Sequence, residues 1–319
     1  MYIVHTHGLV NVGNSCYMNA ALQCIAHTPL FRQYFMGENR RGNGCITDHV
    51  RTLLKLMWQQ DGNHSAMRKL IHDIKFSLGT VNGTNFVGNA QQCTVEFLDA
   101  LFERVCNEDG DDTFNRLYHN GAVDDIQCHS HRCTNVSQSR REEPIIFLYM
   151  QQERPQKLQT LIKEKYTSDE IISRNCQDCS CQFATTKTKV YPASVMIFQI
   201  QRCLFGYKNN SHVDYPLSDM VLDESIFVGT VDERTYDLMA VACHVGSDTS
   251  QGHYYTFARG TDDCWRLYND KKVSGPIPER EVVSKVVSNY AYTLYYQRRD
   301  ISRLDNRGKC VCILFVFHC

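Results

Sequence analysis

Proline is scarce in this chain, 7 residues in 319, and glycine is modest at 18. That excludes a long proline- or glycine-rich disordered arm. Neither sign of charge is in excess: 34 basic residues face 35 acidic ones, for a formal net charge of −1. So even a balance builds no counterion-releasing footprint, and neither nucleic acid nor an anionic membrane is expected as a partner. No apolar run reaches the roughly 20 residues that span a bilayer, so no integral membrane span is expected. The opening MYIVHTHGLV lacks a basic n-region and a long apolar h-region, and no secretory signal is expected. What is abundant is cysteine, at 16 residues. Without an oxidising address these read as reduced thiols, metal ligands and a nucleophile rather than a disulfide framework, in a protein of the cytoplasm or nucleus.

The run GLVNVGNSCYMNAALQ, Gly8 to Gln23, places Cys16 where loop gives way to helix. Asn14 or Ser15 is positioned to cap that helix, and Met18, Ala21, Leu22 and Ile25 recur at helical spacing. A thiol at a helix start faces unpaired N–H groups and the positive end of the helix dipole, which favour the nucleophilic thiolate. About 240 residues later comes YDLMAVACHVGSDTSQGHYYTFARGTDDCWRLYNDKKVS, Tyr236 to Ser274. Here His253 lies between a glycine and an alternating aromatic run, and Asn269-Asp270 follows Trp265 and Tyr268. A cysteine, a distant histidine and then an orienting amide or carboxylate is the logic of a thiol hydrolase.

The two blocks together resemble the cysteine box and histidine box of the ubiquitin-specific protease family, the papain-like deubiquitinases. NAQQCTVEFLDALFERV (Asn89 to Val105) is similar to the family's Gln-Gln-Asp-x-x-Glu-Phe segment, with Cys93 where the family has aspartate. LIKEKYTSDEIISRNCQDCSCQFATTKTKVYPASVMIFQIQR (Leu161 to Arg202) is similar to its second zinc knuckle and following strand, and AYTLYYQRR (Ala291 to Arg299) to its closing strand. The blocks run in order over nearly the whole chain. The resemblance implies an α+β papain-like fold with a helical thumb, an antiparallel palm sheet and fingers. It implies hydrolysis, through a thioester, of the bond at the C-terminal glycine of ubiquitin, with ubiquitin or polyubiquitin conjugates as partners of a monomer. Cys16 is then the nucleophile and His253, rather than His244, the base. Asn269 is the third triad member, Asp270 the adjacent acidic residue, and Asn11 an oxyanion-hole donor. The alternatives are a catalytically inert ubiquitin-binding module or a protease for another ubiquitin-like modifier.

Along the chain, helices are expected at Tyr17–His27, Asp48–Gln60 and Val95–Val105, then strands from Ile145 onward, interrupted by short helices near Leu158–Tyr166 and Glu279–Val286. This gives one catalytic domain, 1–305: 1–120 a mainly helical thumb, 121–190 fingers, 191–305 a palm sheet. Cysteine and histidine spacing points to a structural zinc. Cys176 and Cys179 form one C-x₂-C knuckle with Cys181 close by, and Cys128 and His131 form a C-x₂-H partner with Cys133 as the alternative ligand. Unmetallated thiols are the competing reading. The apolar, cysteine-rich tail 306–319 reads as an added edge strand or a tail tucked onto the core, with a palmitoylated or membrane-touching tail as the alternative.

Overall fold

The computed structural model describes residues 6–37, 45–110, 112–130, 132–150, 153–167, 171–204, 207–246 and 251–301. The tail 306–319 and His131 lie outside the described residues.

Among the described residues, six helices precede the two larger sheets: α1 (Cys16–His27), α2 (Pro29–Met36), α3 (Cys45–Met57), α4 (His64–Leu78), α5 (Thr94–Asp109) and the single turn α6 (Asn115–Tyr118). The three expected helices are α1, α3 and α5. α2 follows because Pro29 occupies the first helical turn, where a missing N–H costs nothing. α4 carries Met67, Ile71, Ile74 and Leu78 on one buried face and starts at Asn63, whose side chain accepts from Ala66 N at 3.0 Å. Ser15 stands at the N-cap of α1 but does not cap it through its side chain. Its hydroxyl accepts instead from Val12 N at 2.8 Å, which closes the preceding loop.

Beyond the helices lies a large sheet in the order Lys272–Val273, Trp265–Asn269, His253–Arg259, Thr235–Val245, Ala291–Arg298, Val195–Gln201, Ile146–Tyr149. Its pairings are antiparallel except the last, and Met220–Val221 adds to the edge of Thr235–Val245. Alternation along the central strands feeds two cores. Val195, Ile197, Ala240, Ala242, Tyr292 and Tyr295 face the helices. Met196, Phe198, Leu238, Val241, Leu294 and Tyr296 face the other way, against α7 (Leu158–Thr167), α8 (Glu279–Val286) and loops. Both short helices fall where the sequence placed them.

A second, four-stranded sheet runs Val136–Glu143, Asn120–Cys128, Phe183–Tyr191, Ile171–Ser173, all antiparallel. Within 121–190, Ile146–Tyr149 leaves this sheet and joins the large one. Among the described residues no helix is long and apolar enough to cross a membrane.

Candidate active site and metal centre

α1 is buried along its whole length, so it docks as a core element. Small residues make that docking close: Ala240, Ala242 and Ala258 lie on the helix-facing side of the strands beneath it. Three polar hooks fix its register. Thr256 Oγ1 donates to Ala20 O at 3.0 Å, Tyr268 Oη lies 2.9 Å from His27 Nε2, and Asn19 Nδ2 donates to Asp270 Oδ1 at 2.8 Å. Cys16 is the first residue of this helix, and the strands it is hooked to are those that carry His253 and Asn269.

His253 is half-buried at the start of its strand, and its Nε2 lies 2.7 Å from Asn269 Oδ1. An amide oxygen only accepts, so Nε2 carries the proton and Nδ1 is left basic. This is the tautomer a thiol base requires. Asp270 is placed differently from its neighbour. It sits at a φ of 49° in the turn after the strand. Its carboxylate accepts from Asn11 Nδ2 at 3.0 Å as well as from Asn19, and its carbonyl accepts from Leu9 N at 2.9 Å. Asp270 therefore holds the loop before the nucleophile, while Asn269 holds the histidine.

That loop is ordered around Asn11. Its Oδ1 accepts from Gly13 N and Ser15 N, both at 3.1 Å, and from Ser15 Oγ at 3.3 Å. The oxygen is committed to these donors, and one of the two Nδ2 protons goes to Asp270. The turn needs left-handed backbone at Gly13 (φ 96°) and Asn14 (φ 47°), a conformation that glycine and asparagine tolerate.

Gln91, which no sequence motif marks as a site residue, also lies at the nucleophile. Its Nε2 lies 3.4 Å from Cys16 Sγ. Gln92 and Glu96 of the same segment lie elsewhere: Gln92 donates to Asn85 O and Glu96 accepts from Thr84 Oγ1. The signal was the doubled glutamine itself, but only tertiary structure selects the first of the pair. Cys93, at the N-cap of α5, lies 3.3 Å from Tyr292 Oη, and burial pushes its thiol up, so the residue is neutral. His244 is fully buried, with its ring against Tyr254.

At one end of the four-stranded sheet, Cys128, Cys133, Cys176 and Cys179 bring their sulfurs within 4.8 Å of one another. Cys128 and Cys179 approach to 3.6 Å, as do Cys133 and Cys176. A tetrahedral zinc with Zn–S bonds of about 2.3 Å needs sulfur separations near 3.8 Å, so the four thiols fit that ion. The fourth ligand position expected for His131 is filled by Cys133. The turn that follows Cys128, closed by Cys133 N donating to Ser130 O at 3.0 Å, brings this thiol into the cluster, and four sulfurs complete a tetrahedron. Cys181 stays out, its thiol directed at Phe183 O. Backbone N–H groups of Asp178 and Cys179 help pull the Cys176 thiol down to about 7, toward the ligating thiolate form. A metal held here would be structural, since all four positions are protein sulfurs.

A family profile described as ubiquitin carboxyl-terminal hydrolase matches residues 7–296. The chain belongs to the ubiquitin carboxyl-terminal hydrolase family. Among curated members it is 24% identical over 92% of its length to ubiquitin carboxyl-terminal hydrolase 17-like protein 15 of Homo sapiens, covering 54% of that protein. It is 25% identical over 93% of its length to 17-like protein B of Mus musculus, covering 64% of that relative. It is 24% identical over 95% to hydrolase 51 of Mus musculus, covering 52%. The chain thus spans about half to two thirds of the length of these relatives. Among solved structures, the Ubp8/Sgf11/Sus1/Sgf73 DUB module of SAGA bound to ubiquitin aldehyde matches 92% of this chain and 69% of the matched chain. The TM-score is 0.72 at 20% identity. A mutant of the same module, bound to monoubiquitin, gives 0.73 at 19%. The α+β, papain-like fold of this hydrolase family is therefore established for this chain.

Proposed function

We propose that this chain is a thiol-dependent deubiquitinase, cutting the isopeptide or peptide bond at the C-terminal glycine of ubiquitin. The observation that carries the reading is the His253–Asn269 pair at 2.7 Å, on strands hooked to the helix that Cys16 begins. In the proposed reaction His253 Nδ1 takes the Cys16 proton, and the sulfur attacks the scissile carbonyl. The carbonyl oxygen becomes negative and is met by the free N–H of Asn11 Nδ2 and the backbone N–H of Cys16. His253 then returns the proton to the leaving amine as the C–N bond breaks, giving a thioester. Water, deprotonated by the same imidazole, hydrolyses the thioester and restores the thiol. Nucleophile, base and oxyanion donors all come from one chain, which supports a monomer as the working unit. We assign Asp270 the role of holding Asn11, and Gln91 that of a contact to the sulfur.

The helical segment 1–120 then supplies the nucleophile, 191–305 the base, and 121–190 the fingers that grip ubiquitin, with zinc at the four cysteines. A reducing compartment, cytoplasm or nucleus, suits the free thiol that this chemistry needs. A ubiquitin probe with a C-terminal electrophile tests the reading. Labelling at Cys16 is expected. Binding without labelling would make the chain an inert ubiquitin-binding module, and labelling only by another modifier's probe would change the substrate.

A further inference from the structure

Lys208 lies on the two-residue strand Tyr207–Lys208, paired with Cys203–Leu204. Its side chain is buried, at 4% exposure. The ammonium reaches His244 Nδ1 at 3.1 Å, His244 O at 3.0 Å and Gly246 O at 2.9 Å. An ammonium has N–H groups and no lone pair, so in each of these contacts it is the donor. Nδ1 of His244 must therefore accept, and it carries no proton. The ring is neutral with its proton on Nε2.

That nitrogen faces the backbone immediately before the proposed base. A Cβ built on Gly252 would lie 2.5 Å from His244 Nε2, 2.3 Å from Val245 O and 3.1 Å from Gly246 Cα. Gly252 has a φ of 145°, and only glycine fits so close an approach. The next residue is His253, which pairs in register with Val245. The floor on which His253 stands is thus the stretch His244–Gly246, and Lys208 grips two of its carbonyls and one of its rings.

Lys208 is itself held in place. Arg202, also buried, donates through Nε to Ala291 O at 2.8 Å and through Nη1 to Asn209 O at 3.1 Å and Ser211 O at 2.8 Å. Asn209 N in turn donates to Arg202 O at 2.8 Å. The residue after Lys208 is therefore clamped in both directions. The lysine is thereby fixed relative to the strand end His244–Gly246 that it contacts.

We propose that Lys208 is a positioning residue for the reaction, fixing the tautomer of His244 and the carbonyls of His244 and Gly246, and through Gly252 the place of the His253 ring. The idea rests on the reading of His253 as the base, and its first test is independent of activity. In the free wild-type protein, nitrogen-15 imidazole spectra should show His244 with Nδ1 bare and Nε2 protonated. A proton on Nδ1 would overturn the proposal. In Lys208→Met, which keeps the length of the stem but removes the donors, the His253 imidazole signals should shift. Hydrolysis of a ubiquitin C-terminal amide should lose about 10- to 100-fold in kcat with little change in KM, as small displacements of a reacting group do. Lys208→Arg restores a cationic donor and should recover some of the loss. Unmoved His253 signals, a wild-type kcat in Lys208→Met, or equal losses in both variants would each overturn it. A Lys208→Met chain that fails to fold would do so too, by making the residue a structural one. A wild-type protein with the expected His244 tautomer and no turnover would instead sink the deubiquitinase reading.

Discussion

The two sheets of this molecule are held by different forces. The large sheet is buried on both faces, with alternate residues of each central strand feeding one core or the other. The strand Val195–Gln201 reads as a nearly unbroken apolar run for that reason. The four-stranded sheet is thinly covered. Its strand Val136–Glu143 is mostly exposed, and Phe183, Tyr191 and Ile171 are about half-exposed. Its cross-strand ion pairs, such as Arg141–Asp124, are partly open to solvent, which weakens them. Its far end is gathered by four cysteines. Burial holds a catalytic constellation to fractions of an ångström, whereas a sheet that lacks a core of its own at one end can be closed by a metal instead.

The largest effect should come from breaking the well-buried region at its chemistry. Cys16→Ala should reduce cleavage of a ubiquitin C-terminal amide to background, a loss on the order of 10⁶ where nucleophile and base act as a unit. His253→Ala should be nearly as severe, and His244→Ala milder. The Cys16 and His253 variants should still fold, with the same metal content as the wild-type protein. Substantial turnover by Cys16→Ala would remove the assignment.

Next comes the oxyanion loop. Asn11→Ala should lower kcat by about 10- to 10³-fold with little change in ubiquitin affinity, because the donor matters only once the oxygen is charged. Alkylation of Cys16 by a simple reagent forms no oxyanion and should proceed. Asp270→Ala frees the Asn11 amide from its 3.0 Å anchor, so it should reproduce some of the same loss. The double variant should be much less than additive, since the two side chains share one network. Strict additivity in kinetic assays would mean that Asp270 acts elsewhere. Packing gives a stability counterpart. Leu22→Ala removes a fully buried side chain from α1 and should cost about 2–5 kcal/mol in denaturant unfolding.

These comparisons show what could be read from sequence and what could not. The order of Cys16, His253 and Asn269 was legible because each sits in a contiguous motif. The helices with a clean apolar stripe and the apolar strands were legible for the same local reason. Gln91 beside Cys16 was not, because nothing local distinguishes it from Gln92. The Asp270 anchor joins residues 259 apart in the chain, and that pairing exists only once α1 has docked. The choice between Cys133 and His131 was open because both spacings suit zinc, and only the turn after Cys128 brings Cys133 into the cluster. The strands Asn120–Cys128 and Val136–Glu143 went unread because the second is charged on both faces, and such a strand has no period-2 signature.

The smallest effect on turnover should come from the less-buried region. Cys176→Ser should lower the metal content of purified protein from about one zinc per chain, the content of a single closed four-ligand site. The ligand is lost at one end of the four-stranded sheet, away from the hooks of α1 and from the His253–Asn269 pair, which belong to the large sheet. Amide exchange should therefore accelerate in Asn120–Cys128 and Phe183–Tyr191 and stay slow in Thr235–Val245 and α1, because local opening follows local burial. The same division should appear in kinetics, with ubiquitin affinity falling more than kcat and kcat falling less than in Asn11→Ala. Two results would defeat the contrast between the sheets. One is a fully stable preparation that binds no metal, since the cysteines would then gather without an ion. The other is a Cys176→Ser variant whose exchange rises equally in both sheets, since the two regions would then open as one cooperative unit.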